Sequence, residues 1–349
     1  GRISKNHIIS IIENYDKCEL VAICDNSKIK LKNAAELIKK EFKKNNYKKF
    51  PKPIEYLEYK ELLNSHQFGE ISLDLVVLAT PSGFHANQTI LAAKKGINVC
   101  TEKPMAIDFE EAKNMVKICE ENKVKLFVIK QNRLNNTLKD LRERVKKNMF
   151  GDIALVNLNV FWHRPQSYYD QDQWRGTLDL DGGALMNQAI HYIDLLEWII
   201  GPVKSLCSYK ATRNRTIEAE DTAVIAIEWE KGILGTMAVT MVTYPMNLEG
   251  SITIIGNNGS AKVGGVALNK YEYSYFDSDH NKDEINSKNY ESKDLYRSGH
   301  SSYYKNIISS LEGNTDPICS GNEGLSSLKI VTAAYKSAQE KNIIYLKDI

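Results

Sequence analysis

The 349-residue chain lacks the features that mark several large classes of protein. No apolar stretch approaches the ~18–20 residues that a membrane-crossing helix needs, and the formal net charge is only +2. A nearly neutral chain gives no electrostatic reason to expect nucleic acid or a membrane surface as a partner. No secretory signal pattern opens the sequence, so we expect a cytoplasmic protein.

Paired cysteine motifs are also absent, because none of the six cysteines forms a C-x-x-C pair. They are scattered, mostly within apolar segments: Cys18, Cys24, Cys100, Cys119, Cys207 and Cys319. We interpret them as buried free thiols in a reducing compartment, and we expect no bound metal.

The composition is that of an ordinary globular protein, with 42% hydrophobic and 26% charged residues. A chain of this length exceeds what one ordinary core supports, so two domains are expected. We place them at residues 1–130 and 131–349.

The first 130 residues alternate short apolar strands with helices. The predicted strands are 20–25, 73–80, 97–101 and 125–130, and the predicted helices are 3–14, 34–44, 85–95 and 109–122. This alternation predicts βαβ units around a parallel sheet, as in an α/β dinucleotide-binding (Rossmann) domain. The strands are almost continuously apolar, as expected where helices cover both faces of the sheet.

The second part of the chain is rich in strands that no helix separates. The predicted strands are 153–162, 203–211, 222–230, 233–242, 251–256, 260–263 and 268–276, and the predicted helices are 184–200, 302–312 and 324–340. This pattern predicts an α+β domain with one large, mainly antiparallel sheet. So few helices leave one face of the sheet open. The apolar positions of 233–242 suit an interface on that face or a core within the subunit.

Cofactor chemistry is indicated at two points near the start. Residues Gly1 to Ser4 open the first predicted helix, whose free N–H groups and dipole can hold a pyrophosphate. A dinucleotide fold places a strand before this turn, so we expect the first strand to lie upstream of Gly1. Asp25 ends the next apolar strand, where a carboxylate binds ribose hydroxyls and repels a 2′-phosphate. We therefore expect NAD rather than NADP.

Two motifs carry the functional hypothesis. Thr101-Glu102-Lys103-Pro104 follows an apolar strand, at the edge where open α/β sheets bind ligands. A Gly-Gly pair at residue 182 opens the second motif, in which Asn187, His191 and Asp194 have the i, i+4, i+7 spacing of one helix face.

Together these motifs resemble the glucose-fructose oxidoreductase/inositol dehydrogenase (Gfo/Idh/MocA) family of NAD(P)-dependent sugar oxidoreductases. The resemblance implies a Rossmann domain followed by a domain whose open sheet face forms dimers or tetramers. It makes Gly1, Arg2 and Ile3 part of the glycine-rich turn. It also implies cofactor contacts from Thr80, Pro81, Ser82, His85, Glu102, Lys103, Gln131, Trp174 and Arg175.

Lys103 and His191 are the expected catalytic pair. Oxidation of a secondary alcohol needs a base within hydrogen-bond reach of the hydroxyl, with a pKa near neutrality. Burial and a nearby nicotinamide cation would lower the pKa of Lys103, whereas Glu102 would raise it, so the net direction stays open. His191 could be the base or could polarise the hydroxyl.

One departure from the family pattern favours Lys103 as the base. Many members carry Asp where this chain has Asn187, and an amide cannot stabilise an imidazolium by charge. Asp194, about one turn after His191, is expected to be a structural anchor.

The segment 162–176 is rich in aromatic residues and arginines, which would be costly to order without a polar ligand or partner. With residues 128–133 and the Gly-Gly motif, it resembles the bacterial branch of the family that oxidises the C3 hydroxyl of UDP-N-acetyl-glucosaminuronic acid. The arginines suit a carboxylate or a diphosphate. The resemblance implies substrate contacts from Asn187, Arg133, Arg164, Gln166, Tyr168, Tyr169 and Arg175. The alternative is that this segment is a latch between domains.

In that branch a pyridoxal-phosphate aminotransferase consumes the 3-keto product during surface-polysaccharide sugar synthesis, so we expect the same partner here. Two other functions stay open: an NAD-dependent dehydrogenase of another sugar or of a cyclitol such as inositol, and a non-catalytic sensor of NAD and sugar. Retention of both Lys103 and His191 argues against a sensor. Whether NADH leaves or is reoxidised in place by a 2-oxo acid also stays open.

Overall fold

The computed structural model describes residues 1–47, 52–265, 267–277, 288–290 and 295–349. In the N-terminal part, helices alternate with five short parallel strands. The strands are β1 (Ala22–Cys24), β2 (Ile54–Tyr56), β3 (Leu75–Leu78), β4 (Asn98–Thr101) and β5 (Leu126–Val128). The helices are α1 (Ser4–Glu13), α2 (Lys28–Lys44), α3 (Tyr59–Gln67), α4 (His85–Ala93) and α5 (Phe109–Glu121).

The strands form two parallel groups, β1-β2 and β3-β4-β5. Val99 packs in one apolar cluster, while its neighbour Cys100 and Phe127 on β5 pack in another. Alternate residues of the same strand are thus buried on opposite faces, as in a sheet that helices cover on both sides. The predicted Rossmann-type domain is confirmed. The sequence analysis missed β2 and α3, because both are short and carry few buried apolar residues.

The C-terminal part contains one eight-stranded sheet. Its strands are β6 (Ile153–Phe161), β7 (Val203–Ala211), β8 (Thr222–Trp229), β9 (Leu234–Thr240), β10 (Glu249–Gly256), β11 (Gly259–Gly264), β12 (Lys270–Phe276) and β13 (Ile344–Tyr345). The spatial order is β12-β11-β10-β6-β9-β8-β7-β13. Among the described strands of this sheet, only β6 and β9 pair in parallel, so the mainly antiparallel sheet is confirmed.

Five helices accompany this sheet in the described residues: α6 (Asn136–Lys146), α7 (Gln166–Tyr169), α8 (Ile190–Leu195), α9 (Leu295–Leu311) and α10 (Gly321–Glu340). The helix predicted at 184–200 is less regular than expected, because π-helical turns at Ala184–Ala189 and Leu196–Ile200 flank α8. None of the described helices combines the length and apolarity needed to cross a membrane.

The two faces of the large sheet differ. Val156, Leu158 and Val160 of β6 are fully buried, whereas Leu155, directly before Val156, is 41% exposed. The segment 233–242 is divided in the same way, because Met237 is fully buried and Leu234 is exposed. One face is therefore core and the other is open.

The last two helices return to the N-terminal sheet. Tyr303, Tyr304 and Ile307 of α9 share an apolar cluster with Ile11 and Phe127. Just before α10, the Cys319 carbonyl accepts a hydrogen bond of 3.1 Å from the Val128 N–H. The domain boundary at residue 130 stays a prediction, and the packing of the chain crosses it.

Candidate active site

The site residues gather at the carboxyl ends of the three parallel strands β3, β4 and β5. Thr80 follows β3, Lys103 follows β4 and Gln131 follows β5. The segment that begins at Gly182 contacts this edge, since Asn187 and His191 bond to Lys103 and Gln131. Open α/β sheets bind ligands at this edge.

Lys103 points its ammonium nitrogen at Asn187. Its Nζ donates to the Asn187 carbonyl at 2.8 Å and lies 3.2 Å from the side-chain Oδ1. Burial lowers the pKa of Lys103; Glu102 and Asp181 oppose this effect, while Lys130 and Arg164 add to it. The net direction, which the sequence left open, is downward. A lowered pKa is what a lysine general base needs.

His191 lies beside Gln131, with 3.3 Å between the two Nε2 atoms. Among the described residues, His191 Nδ1 and Gln131 Oε1 are buried without a hydrogen-bond partner. Burial, followed by the charges of Lys103 and Lys130, holds the pKa of His191 well below its usual value. The imidazole is therefore neutral near pH 7. If the Gln131 amide donates to Nε2, then Nδ1 carries the proton and is a donor for a ligand oxygen.

Glu102 contacts the backbone of the catalytic candidate Lys103 and two histidines. Its Oε2 accepts from the Lys103 N–H at 3.1 Å, and its Oε1 lies 3.0 Å from His7 Nε2 and 3.5 Å from His300 Nε2. Burial alone would raise the pKa of Glu102, but the hydrogen bond with His7 and the nearby His300 ring outweigh burial and hold the pKa well below its usual range. Protein groups bind both oxygens, so Glu102 supports the lysine, and its expected cofactor contact stays a prediction.

The same three side chains place one possible metal-ligand atom each within 4.8 Å of the others. Hydrogen bonds already account for the arrangement, because Tyr304 lies 2.8 Å from His7 Nδ1 and leaves Nε2 to face the carboxylate. We assign no metal to it, and the expected absence of a metal stays a prediction.

Arg133 is the clearest correction among the expected substrate contacts. Its Nε and one terminal nitrogen bind both oxygens of Asp194 at 2.8 Å, and the other terminal nitrogen binds Glu323 and the Ile318 carbonyl. Lys130 lies 3.7 Å from the same aspartate. We call Lys130, Arg133, Asp194 and Glu323 the anchor network. Its contacts make Arg133 a structural residue and fit the expected anchoring role of Asp194.

Both ring nitrogens of His85 likewise contact protein groups. The ring is 1% exposed, with Nδ1 2.8 Å from the Pro104 carbonyl and Nε2 3.0 Å from the Thr80 carbonyl. Burial lowers the pKa of His85, and a neutral ring can donate to only one of these carbonyls. His85 therefore holds the loop after β3 against the Lys103-Pro104 turn, and its expected contact with the cofactor stays a prediction. Pro81 and Ser82 lie on this loop; Ser82 does not cap α4 with its side chain.

Asp25 lies at the end of β1, half-buried, with one oxygen accepting the Ser27 N–H at 2.9 Å. Gly1 and Arg2 are exposed at the start of α1, whose N-cap is Ile3. With the two unpartnered buried atoms of Gln131 and His191, these residues fit a dinucleotide that runs along the sheet edge.

In residues 162–176, which we call the substrate loop after its expected role, arginine guanidinium groups lie over aromatic rings. Tyr168 lies between the guanidinium groups of Arg164 and Arg175, 5.5 and 4.6 Å from its ring centre, and Arg175 also covers Trp174 at 4.7 Å. Gln188 donates to the Tyr168 hydroxyl at 3.2 Å. These contacts hold both cations in fixed positions.

Two other residues of this loop were also expected to contact the substrate, Gln166 and Tyr169. The Gln166 amide binds Asp170 and both backbone groups of Thr216, so it latches the loop to a neighbouring turn. Tyr169 is 7% exposed, and burial raises the pKa of its hydroxyl. The Gln166 contacts lie within the C-terminal part, and the expected substrate contact of Gln166 stays a prediction.

The Gly-Gly pair has a structural reason. Gly182 has φ +75°, a conformation that side chains rarely adopt, and a Cβ on Gly183 would lie 2.0 Å from the Glu220 carboxylate. Glu220 accepts from the Leu185 N–H at 2.9 Å and so holds the first turn after the glycines. Sequence reasoning missed Glu220, His7, His300, Lys130 and Asp181, because their partners lie far away in the chain or across a glycine turn.

The fold and the site define an NAD-binding oxidoreductase. Residues 1–130 match the family description "Oxidoreductase family, NAD-binding Rossmann fold", and residues 142–346 match "Oxidoreductase family, C-terminal alpha/beta domain". The chain belongs to the Gfo/Idh/MocA oxidoreductase family, as its motifs indicated, and its cofactor is NAD.

Solved structures of two relatives are similar over nearly the whole chain. The WlbA dehydrogenase of Bordetella pertussis, solved with NADH and UDP-GlcNAcA, is 45% identical; the match covers 99% of this chain and 95% of that one, with a TM-score of 0.90. WlbA of Chromobacterium violaceum, solved with the same ligands, is 43% identical over 99% of this chain and 93% of that one, with a TM-score of 0.88. The D-apiose dehydrogenase of Paraburkholderia graminis is 23% identical over 100% of this chain and 88% of its own length.

Proposed function

We propose that this protein oxidises the C3 hydroxyl of UDP-N-acetyl-glucosaminuronic acid to a ketone with NAD. The observation that carries the choice of sugar is the 45% identity to a dehydrogenase solved with NADH and UDP-GlcNAcA. The site supports the chemistry independently, because a buried lysine with a lowered pKa lies at the ligand-binding edge of the sheet.

In the proposed reaction Lys103 removes the hydroxyl proton, and Asn187 holds its Nζ in place. His191, neutral and with Nδ1 available, donates a hydrogen bond to the same oxygen. NAD supplies the acceptor for the hydride when it is bound. Asp25 and the loop of Thr80, Pro81 and Ser82 would hold it, together with Gly1, Arg2, Ile3, Gln131 and Trp174.

The charged substrate needs local cations, because the chain as a whole is nearly neutral. Arg164 and Arg175 are proposed to bind the uronate carboxylate or the diphosphate, and Tyr168 keeps both guanidinium groups in place. Arg133 is not included, since its guanidinium is already bound to carboxylates and a carbonyl.

The proposed setting follows the same relatives. Exposed apolar side chains on the open sheet face, such as Leu155, Val224 and Leu234, support a homodimer or homotetramer through that face. The proposal also includes a cytoplasmic location, a role in surface-polysaccharide sugar synthesis, and transfer of the keto sugar to a pyridoxal-phosphate aminotransferase.

The test uses purified protein with NAD or NADP and a panel of UDP-N-acetyl-glucosaminuronic acid, UDP-N-acetylglucosamine and inositol. Each reaction is run with and without a 2-oxo acid, so that turnover is seen even if NADH is reoxidised in place. Product is followed by mass spectrometry as the loss of two hydrogens. We expect the uronate with NAD to be much the best pair, because remote binding energy orients the reacting carbon.

Arg175→Ala should raise KM for the uronate by about tenfold, as expected for the loss of a charge-assisted hydrogen bond. Equal turnover of the uronate and the neutral sugar, or good activity on inositol, would contradict the assigned substrate. Equal use of NADP would contradict the role of Asp25.

A further inference from the structure

Asp181 is a buried carboxylate that the proposed reaction does not yet use. It is 2% exposed and directly precedes the Gly-Gly pair. One of its oxygens accepts a hydrogen bond from the Asn187 side-chain amide, and the other accepts the Gly176 N–H at 2.7 Å. Asn187 in turn accepts from Lys103 Nζ. The groups therefore form a chain from lysine to amide to carboxylate.

We propose that Asp181 is a positioning residue for the reaction, orienting the Asn187 amide so that its oxygen faces Lys103. An isolated asparagine amide can turn either its oxygen or its nitrogen toward a neighbour. A carboxylate only accepts when it is ionised, so it fixes the Asn187 nitrogen on its own side. The Asn187 oxygen must then face the lysine.

The same carboxylate supplies a negative charge that acts on the lysine. The charged and titratable groups that face Lys103 come from several parts of the chain: Glu102, Lys130, Arg164, Asp181 and His191. Asp181 itself faces Lys103 and Arg175. Burial raises the pKa of Asp181 to about 6, so it is ionised at neutral and alkaline pH, where a lysine base loses its proton.

Asp181 also joins the two halves of the site. The Gly176 N–H that it binds follows Arg175, the proposed contact of the substrate charge. Asp181 therefore fixes the substrate loop and the proton acceptor relative to each other. Many members of the family carry an aspartate at the position of Asn187. In this chain the negative charge comes instead from Asp181, six residues earlier, and it faces the lysine.

This inference rests on the proposed role of Lys103, and the experiment separates the two. Asp181→Asn is compared with Asp179→Asn, a change of an exposed aspartate two residues away in the same loop. NAD binding checks that each variant is folded. Reaction of the Lys103 amine with an acylating reagent, followed by peptide mass across pH, gives its pKa without any turnover.

We expect Asp181→Asn to lower the pKa of Lys103 by about half a unit to one unit, because a nearby negative charge is removed. The base must be neutral, so activity rises with pH through this pKa, and the acid limb of kcat should move to lower pH by the same amount. The maximum of kcat should fall roughly tenfold through lost orientation, with KM little changed. Asp179→Asn should match wild type in all these measurements.

A second variant, at Asn187, removes the amide that connects Asp181 to Lys103 and keeps the Asp181 charge. Asn187→Ser should also lower kcat, and adding Asp181→Asn to it should lower kcat little further, because the two residues act in series. An unchanged Lys103 pKa in Asp181→Asn, or multiplicative losses of kcat in the double variant, would overturn the inference. A wild-type enzyme inactive on every sugar would instead overturn the proposed function, and the amine-labelling result would still decide the role of Asp181.

Discussion

Two groups of largely buried polar residues lie side by side in this protein, and they differ in how completely their polar atoms are satisfied. In the anchor network, Asp194 binds Arg133 through both oxygens, and Lys130 also donates to Ser327 at 2.7 Å. In the neighbouring group of Lys103, Gln131 and His191, two buried atoms have no partner among the described residues. A saturated network fixes structure, whereas unsatisfied atoms in a buried site mark where a ligand completes it.

The comparison explains why two lysines one strand apart have different roles. Lys130 is held by Asp194 and Ser327 beneath the sheet edge, while Lys103 reaches past the edge to Asn187. Burial lowers the pKa of both. The pKa shift alone therefore does not favour one lysine over the other, and our proposal of Lys103 as the base rests on the position of its nitrogen.

The largest expected effect comes from a change in the group whose buried polar atoms are not all hydrogen-bonded. Lys103→Ala should reduce kcat by roughly 10²–10⁴-fold, as for loss of a general base, with NAD binding and the free energy of unfolding little changed. Steady-state kinetics and an NAD titration measure this. Near wild-type turnover would remove Lys103 from the reaction.

Arg133→Ala tests the anchor network, whose polar atoms are bonded within the protein. It leaves Asp194 buried with only Lys130 nearby, so we expect a loss of about 3–5 kcal/mol in the free energy of unfolding, measured with denaturant. Arg142→Ala is the matched control, because this less buried arginine binds only the Trp198 carbonyl and ring in the described contacts. A stable Arg133 variant with a raised KM for the nucleotide sugar would return Arg133 to substrate binding.

His191→Asn should have a smaller effect than loss of the lysine. We expect kcat to fall about tenfold, because a neutral imidazole contributes a hydrogen bond and does not take the proton. If the His191 variant were inactive and Lys103→Ala near wild type, the order of the two residues would be reversed.

Glu323→Gln should have the smallest effect. The Glu323 side chain is 47% exposed at the outer end of the anchor network, and it also completes the cap of α10 with Ser320. The amide can still accept hydrogen bonds, so the free energy of unfolding should change by less than about 1 kcal/mol. A loss as large as that of Arg133→Ala would show that the network depends on its exposed end.

The sequence predicted the parts of the site that follow from local pattern. Lys103 and His191 belong to motifs of consecutive residues, and alternating segments predicted both sheets. Arg133 was assigned to the substrate because arginine suits phosphate and carboxylate groups, but its partner Asp194 is 61 residues away and only packing brings them together. Asp181 was missed because the φ of Gly182 turns the chain so that Asp181 reaches Asn187. Such contacts depend on tertiary geometry.

The return of α9 to the N-terminal sheet has a consequence for building hybrids between relatives. Tyr303, Tyr304 and Ile307 pack in one apolar cluster with Ile11, Phe127 and Ile129. A fragment that ends at residue 130 would therefore expose the last three side chains to solvent. A chimera that exchanges cofactor specificity should therefore transplant α9 together with the Rossmann segment. The residues that pack the NAD-binding segment are therefore discontinuous in the sequence, and a chimera with a single crossover at residue 130 would separate them.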